Sequence, residues 1–365
     1  EKPIFSVLGN ALYSQIRTHA QYGGVFPMMA KREHAQNFPH LLQEALTEAG
    51  LYIEGNPECT DTEWAQAQEI LTREDTLYNE LRKVIEHTKR PDIDLIAVTS
   101  GPGLEPALWV GISAAVALGT LWRVPVLPTN HMEGHIVSVL MENSDNRPVE
   151  FPALALLVSG GHTELVSVTD WGTYKTIGQT RDDAVGEAFD KVARMLNLPY
   201  PGGPEISKLA EEAVVKNLPK IANLPRPMIH TDNLDFSFSG LKTAVLYYLR
   251  DNPNVIDDHE QICDLAREFQ DAVIDVLITK TKRAIEQTGA HTLIVGGGVI
   301  SNTALRDACK QLEHKYTDLI VRVPTQPLST DNALMIACAG YMRVTQNPEL
   351  LKTNQPIIAR GNLAL

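Results

Sequence analysis

Two histidines four residues apart, in His131-Met132-Glu133-Gly134-His135, have the spacing of metal ligands. On a helix, positions i and i+4 share a face, so both imidazoles can reach one ion. An isolated pair of this kind is more often an ordinary surface or core feature, and the motif needs a third donor to mean more. A zinc-protease reading fails on geometry. Its general base directly follows the first histidine, whereas Glu133 stands two residues on, roughly 200° around the helix from His131. Asp331, after Ser329-Thr330 at the start of a helix, has two readings. As an N-cap it would stabilise that helix by about 1 kcal/mol. As a third ligand it would complete a His/His/Asp set that leaves coordination positions open, the form of a working metal site.

Glycine-rich turns are the second signal. Ser159-Gly160-Gly161-His162 falls between two expected strands, Gly296-Gly297-Gly298 between a strand and a helix, and Pro201-Gly202-Gly203-Pro204 forms a rigid loop. Glycine lets backbone N–H groups approach a phosphate closely, and a helix N-terminus adds partial positive charge. There is no GxxxxGK[ST] and no GxGxxG, so neither a P-loop nor a dinucleotide fingerprint is present. Asp190 suits a ribose hydroxyl pair, or else a solvated helix face. Asp235-Phe236-Ser237-Phe238-Ser239-Gly240-Leu241-Lys242-Thr243 combines aromatics with a lysine, or is a helix start with its phenylalanines in the core. No Ser-His-Asp or Cys-His arrangement follows from spacing, so no covalent nucleophile is expected.

The elements that must position these residues follow from apolar periodicity. Residues 94–99 read as a buried strand, broken at Ser100-Gly101-Pro102-Gly103, followed by an apolar helix to Trp122 and a strand at 125–128. That order indicates α/β packing with parallel pairing. Upstream, residues 4–13 read as a strand, Tyr22-Gly23-Gly24 as a turn, 27–50 as a helix ending at Gly50, and 77–88 as a second helix. The acidic, poorly patterned stretch 51–76 reads as a surface insertion. Downstream come strands at 153–158, 163–168 and 174–177, then helices near 182–196, 205–216, 239–250 and 260–288. A strand at 291–295, a helix at 302–312, a strand at 319–323 and a last helix at 331–346, with small residues on one side, complete the pattern. The order suggests two similar α/β lobes whose glycine turns face one cleft.

The chain has 365 residues, with 32 Lys plus Arg against 45 Asp plus Glu, a net charge of −13. A globally basic nucleic-acid binder is therefore not expected, although an RNA enzyme with a local basic groove, or one borrowing charge from a partner, is compatible. Cys59, Cys263, Cys309 and Cys338 show no CxxC and no Cys/His zinc spacing, which favours a reducing compartment. The longest apolar stretch, 104–126, is broken by Glu105, Pro106 and Arg123, so no membrane span is expected.

Taken together, these motifs resemble one family. In order along the chain stand Tyr13-Ser14-Gln15, Tyr22-Gly23-Gly24, Gly101-Pro102-Gly103, His131-Met132-Glu133-Gly134-His135 and Leu157-Val158-Ser159-Gly160-Gly161-His162. Then come Gly186-Glu187-Ala188-Phe189-Asp190-Lys191, Tyr200-Pro201-Gly202-Gly203-Pro204, the 235–243 segment, Gly297-Gly298-Val299-Ile300-Ser301-Asn302 and Thr330-Asp331-Asn332. This is similar to the TsaD family, bacterial tRNA N6-adenosine threonylcarbamoyltransferases once labelled O-sialoglycoprotein endopeptidases. The resemblance covers nearly the whole chain apart from 51–76.

The resemblance implies an α/β fold of the actin, Hsp70 and sugar-kinase type: two ribonuclease-H-like lobes with a nucleotide cleft between them. It divides the chain into a first lobe at 1–130, a second at 131–325, and a C-terminal helix at 326–365 packing back on the first. It implies transfer of threonylcarbamoyl from threonylcarbamoyl-AMP to N6 of adenosine 37 in tRNAs reading codons that begin with A, releasing AMP. By motif position, His131, His135 and Asp331 would hold one divalent metal, iron by family habit, with zinc or another ion as an alternative occupant. Leu157, Val158, Ser159, Gly160, Gly161, Asp190, Gly203 and Asn302 would hold the adenylate, and His162 is a candidate for polar contact with substrate. A TsaB-like paralogue, a TsaE-like ATPase and tRNA would be the partners, in the cytoplasm. The alternatives are a nucleotide-binding partner of the same fold without transfer, or an ATP-dependent kinase or ATPase of that fold.

Three departures from the family pattern carry their own expectations. The family opens with a strand and hairpin of the type Ile-Glu-Thr-Ser-Cys-Asp-Asp/Glu-Thr, and this sequence starts after it, at Glu1-Lys2-Pro3-Ile4. Without that strand the first lobe would lack a central sheet member and one wall of the site; either the segment is trimmed or the protein is impaired. Asn130 stands where the family has a further histidine that is not a ligand. Glu105-Pro106 replaces a small-residue stretch, placing a charge near the cleft mouth.

Overall fold

The computed structural model describes residues 3–141, 147–352 and 356–365. The chain divides into two compact units. The first comprises Glu1–His19, Val25–Met141 and Asn332–Leu365; the second comprises Ala20–Gly24 and Glu142–Asp331.

The first unit opens with α1 (Ile16–Ala20) and α2 (Pro27–Glu48). Helix α2 stops where expected, with Ala49 as C-cap and Gly50 in the left-handed region at φ 70°. Residues 4–13 do not form the expected strand. They run along α2 instead: a Cβ on Gly9 would lie 2.2 Å from the Ala45 carbonyl oxygen, and the Asn10 N–H donates to Glu48 Oε2 at 2.8 Å. A strand requires a neighbour to share its ladder, and the sheet of this unit has two strands among the described residues, each bonded to the other.

The acidic stretch also differs from expectation, since it contains a helix, α3 (Asp61–Ile70). Its start is a capping box in which Thr60 accepts from the Glu63 N–H and the Glu63 side chain reaches back to Thr60. The Arg123 guanidinium, 2.7 Å away, together with that Thr60 N–H, holds the Glu63 carboxyl at about 2. Ala67 and Leu71 carry the segment into the core, each 1% exposed. Within the helix only Ala67 is buried, with Trp64 and Ile70 half-buried, too sparse an apolar pattern among acidic and amide side chains to read from periodicity.

Helix α4 (Asp75–Ile85) leads to β1 (Ile96–Gly101), α5 (Glu105–Trp122), β2 (Val126–Asn130) and α6 (His131–Val137). Strands β1 and β2 pair in parallel, Ile96 opposite Val126, with α5 as the crossover that parallel pairing requires. By length and composition alone α5 could cross a membrane. Its Val110, Ala114, Ala117, Leu118 and Leu121 are buried in the hydrophobic cluster of this unit, so it is a core helix. Glu105 does not stand as a loose charge, because its Oε1 accepts from the Gly361 N–H at 3.1 Å.

The second unit holds β3 (Ala153–Val158), β4 (Thr163–Asp170), β5 (Thr173–Gln179), α7 (Val185–Met195), α8 (Gly202–Val215), α9 (Ser239–Asp251) and α10 (His259–Thr288). Then follow β6 (Thr292–Gly296), α11 (Thr303–Lys310), α12 (Leu312–Lys315), β7 (Ile320–Arg322) and α13 (Gln326–Ser329). Its sheet runs β5-β4-β3-β6-β7. Strand β4 is antiparallel to β3 and β5, while β6 is parallel to β3 and β7. This is the five-stranded ribonuclease-H-like order. Strands β3 and β6 are buried along their whole length, as unbroken apolar runs covered on both faces should be.

From Asn332 the chain re-enters the first unit as α14 (Ala333–Gln346), which packs on β1, β2 and α6. The small residues on one side of α14 now have a reason: a Cβ on Gly340 would lie 2.7 Å from that of Ala97 on β1.

Candidate functional site

Helix α6 starts at its first histidine because Asn130 caps it. The Asn130 Oδ1 accepts from the Met132 and Glu133 N–H groups at 2.8 and 3.4 Å, and its Nδ2 donates to the Ala364 carbonyl at 3.0 Å. Asparagine is among the strongest N-caps, so the departure from histidine at this position sets the helix without altering its ligand face. The i, i+4 spacing then brings the His131 and His135 rings to a centroid separation of 4.8 Å, nearly perpendicular at 84°. His135 is fully buried. Helix α6 belongs to the first unit rather than opening the second.

The third donor is placed by α14. A Cβ on Gly134 would meet Ile336 Cδ1 at 3.0 Å and Met335 Cγ at 3.1 Å, so the two helices touch at that glycine. Asn332, not Asp331, caps α14, accepting from the Met335 N–H at 2.9 Å. The N-cap reading of Asp331 is thereby replaced. One residue before the cap, its carboxylate joins His131 and His135 in a group whose donor atoms all lie within 4.8 Å of one another. Two imidazole nitrogens and one carboxylate oxygen fit a divalent ion and leave positions for other ligands.

In the second unit, the β3–β4 turn is closed at both ends. The Ser159 N–H donates to the His162 carbonyl at 2.9 Å, and Ser159 Oγ accepts from the His162 N–H at 3.1 Å. His162 therefore occupies the corner of the turn. Leu157 and Val158 are fully buried side chains on β3, so any contact they make with a ligand runs through their backbone. At Gly160, Gly161, Gly203 and Gly298 no heavy atom lies within 4 Å of where a Cβ would be. Their neighbours are crowded instead. A Cβ on Gly186 would lie 2.7 Å from Ser159 O, one on Gly202 2.4 Å from Ala193 Cβ, and one on Gly297 2.4 Å from Val158 O.

Asp190 and Asn302 link these loops. Asp190 Oδ1 accepts from the Gly202 N–H at 2.7 Å. Burial pushes its carboxyl above the usual range, and the N–H groups of Gly202 and Gly203 work against that. Asn302 caps α11 through its Oδ1, taking the Leu305 N–H at 2.9 Å, while its Nδ2 donates to Ser207 Oγ on α8 and Gln270 Oε1 on α10, each at 2.7 Å. The turn, α7, α8, Asn302 and Gly297 thus form a closed ring of contacts, with four glycine positions left open. The expected adenylate residues are brought together in one unit.

Sequence reasoning missed the pair that secures the 235–243 segment. Asp182 accepts from Ser237 Oγ at 2.6 Å, Ser239 Oγ at 2.7 Å, and the Phe238 and Ser239 N–H groups at 2.8 and 3.1 Å. Asp183 pairs with Lys191 and Lys242, both at 2.8 Å. Phe236 and Phe238 are core residues, stacked on each other. The adjacent Asp182-Asp183 doublet was the available signal, since two neighbouring carboxylates need two sets of donors.

Fold and donor set define an α/β protein of the actin, Hsp70 and sugar-kinase type with a candidate metal centre. Full-length HypF, in its phosphate- and nucleotide-bound form, shares that fold at a TM-score of 0.50 and 12% identity, over 74% of this chain and 50% of that one. The profile of the TsaD family, described as tRNA N6-adenosine threonylcarbamoyltransferase, matches residues 6–55 and 76–338, passing over the segment that holds α3. Proteins of that name from Burkholderia ambifaria, 43% identical over 94% of this chain and 87% of theirs, and from Paraburkholderia xenovorans, 42% identical over the same shares, are among its relatives. The chain belongs to the TsaD family and is a transferase.

Proposed function

We propose that the chain transfers threonylcarbamoyl from threonylcarbamoyl-AMP to N6 of adenosine 37 in tRNAs reading codons that begin with A. The observation that carries this reading is the convergence of His131, His135 and Asp331 within 4.8 Å, in a chain of this family. The N6 nitrogen forms a bond to the carbamoyl carbon, the bond from that carbon to the phosphate oxygen breaks, and AMP leaves with the electron pair while the amine loses a proton. A mixed anhydride is already activated, which accords with the lack of any nucleophile argued from spacing. Most of the rate then comes from positioning and from stabilising the departing charge.

In this reading the open faces at Gly160, Gly161 and Gly203, where no side chain stands, let the adenylate lie close to the backbone, with Leu157, Val158 and Ser159 presenting backbone to it. Asp190 takes the ribose side. Asn302, with both amide protons already given to Ser207 and Gln270, positions the loop rather than donating to the ligand. His162 offers polar contact with substrate from the turn. His131, His135 and Asp331 hold a divalent ion, iron by family habit, which supplies Lewis-acid stabilisation of oxygen when bound. The net charge of −13 favours a partner that helps dock tRNA, a role for a TsaB-like paralogue with a TsaE-like ATPase, in the cytoplasm.

The test is incorporation of labelled threonine into A-decoding tRNA from preformed threonylcarbamoyl-AMP, with such partners present. Label in tRNA with matching AMP release supports the reading. Silence with intact adenylate and metal binding would make the chain a nucleotide-binding partner. Turnover of an ATP γ-phosphate without tRNA would make it a kinase or ATPase.

A further inference from the structure

Away from the residues assigned above, three donors on α8 and α10 converge within the second unit. His259 opens α10 just after its N-cap Asp258, and Cys263 follows one turn later on the same face. Glu212 reaches them from the C-terminal part of α8. Their ligand atoms all lie within 4.8 Å of one another. Glu212 Oε1 is 2.9 Å from His259 Nε2, and Cys263 Sγ is 3.6 Å from that same nitrogen. Around a tetrahedral zinc, with bonds of about 2.0–2.1 Å to N and O and 2.3 Å to S, the corresponding edges come to about 3.3 and 3.6 Å.

The shared nitrogen decides between readings. A cysteine–histidine–carboxylate triad places its carboxylate on the ring nitrogen remote from the sulfur; here both partners face Nε2. Without an ion, the Cys263 S–H hydrogen-bonds into the Glu212–His259 pair; an ion would replace these contacts by three bonds to one centre. We propose that Glu212, His259 and Cys263 form a second divalent-cation site, suited to zinc or a similarly thiophilic ion. It differs from the His131/His135/Asp331 group in having a sulfur ligand.

Cys263 binds as thiolate, and its S–H proton passes to solvent as the ion enters. Lys216 stands 2.7 Å from Oε1, the same Glu212 oxygen, and, being half exposed, would swing into water as the ion enters. Three protein ligands leave one position for water. The ion would pin the far end of α8, the helix whose first residues are Gly202 and Gly203.

Cobalt(II) is the probe, because thiolate-to-cobalt charge transfer absorbs in the near ultraviolet and a His/His/Asp set has no sulfur to produce it. Titrating the full reduced chain should give such a band, saturating within two equivalents, bleached by zinc, and retained in His131→Ala with saturation at one equivalent. Cys263→Ser should abolish it. His259→Ala, at a largely exposed position that leaves the fold unchanged by circular dichroism, should weaken cobalt binding at least about tenfold. No band in the wild type under excess cobalt, a band surviving Cys263→Ser, or a band indifferent to His259→Ala would each overturn the proposal. The readout is independent of transfer activity.

Discussion

The Asp190 carboxylate receives the Gly202 N–H at 2.7 Å and, with the Gly203 N–H beside it, ties the first turn of α8 to α7. Two adjacent glycines there have opposite surroundings. A Cβ on Gly202 would collide with Ala193 at 2.4 Å and the Asp190 Cα at 2.9 Å, whereas one on Gly203 would meet open space. Gly202→Ala should lower stability by about 1–3 kcal/mol through overpacking. Gly203→Ala should melt like the wild type yet bind threonylcarbamoyl-AMP or AMP several-fold more weakly. Thermal melts paired with calorimetric titrations check both; equal binding by Gly203→Ala and wild type would remove Gly203 from the adenylate site.

His131→Ala should leave circular dichroism unchanged and reduce metal affinity by more than the 10- to 100-fold typical of losing a supporting partner. Metal analysis after gel filtration checks it. Retention of a full equivalent in a variant that also lacks Cys263 would refute the ligand assignment.

Asn302→Ala removes a helix cap and strands the Ser207 and Gln270 side chains. A loss of about 2 kcal/mol is expected, half from the cap and the rest from the two hydrogen bonds. Adenylate binding should weaken while metal binding holds. Titrations giving the reverse order would show that Asn302 serves the metal centre instead.

The acid limb of stability should carry the signature of Asp182 and Asp183. Burial alone would raise both carboxyls, but the Ser237 and Ser239 hydroxyls, with the Phe238 and Ser239 N–H groups, hold Asp182 below the usual range. Lys191 and Lys242 do the same for Asp183. A folded value below the unfolded one, near 3.9, means stabilisation that is present above about pH 4–5 and lost as pH falls through the folded values. Asp190, raised by burial, contributes with the opposite sign. Denaturant midpoints measured from pH 6 downward should therefore fall less steeply in Asp182→Asn than in the wild type; parallel curves would contradict the assignment.

Leu71→Ala tests the helical insertion. Leu71 is 1% exposed and packs in the core of the first unit, so truncation should cost about 2–5 kcal/mol. A surface insertion would tolerate the change within about 0.5 kcal/mol.

Apolar periodicity made most elements legible. The β1–α5–β2 crossover, the long α10 ending at Gly289 and the buried β3 and β6 were written as uninterrupted runs or clear helical faces. Residues 4–13 have strand composition but find no ladder neighbour among the described residues, and pairing cannot be read from one segment alone. The i, i+4 histidines were readable, but the choice between cap and ligand at Asp331 was not, since Asn332 beside it is an equally good cap. His259 and Cys263 have the i, i+4 spacing of a ligand pair, contrary to the reading that no cysteine stands at metal-ligand distance from a histidine; Glu212 was the hidden member, 47 positions before His259 on another helix.

The route of the chain gives the first unit an unusual birth order. Its strands β1 and β2 and its helix α6 are synthesised early, yet the helix that covers them, α14, emerges only after the whole of Glu142–Asp331. During translation the early segment must wait, its apolar face uncovered, while the nearly contiguous later unit can close upon itself. Asp331 marks the seam where this waiting ends. A ribosome stalled before Asn332 would hold a nascent chain with both histidines made and neither the third donor's anchor nor the covering helix in place.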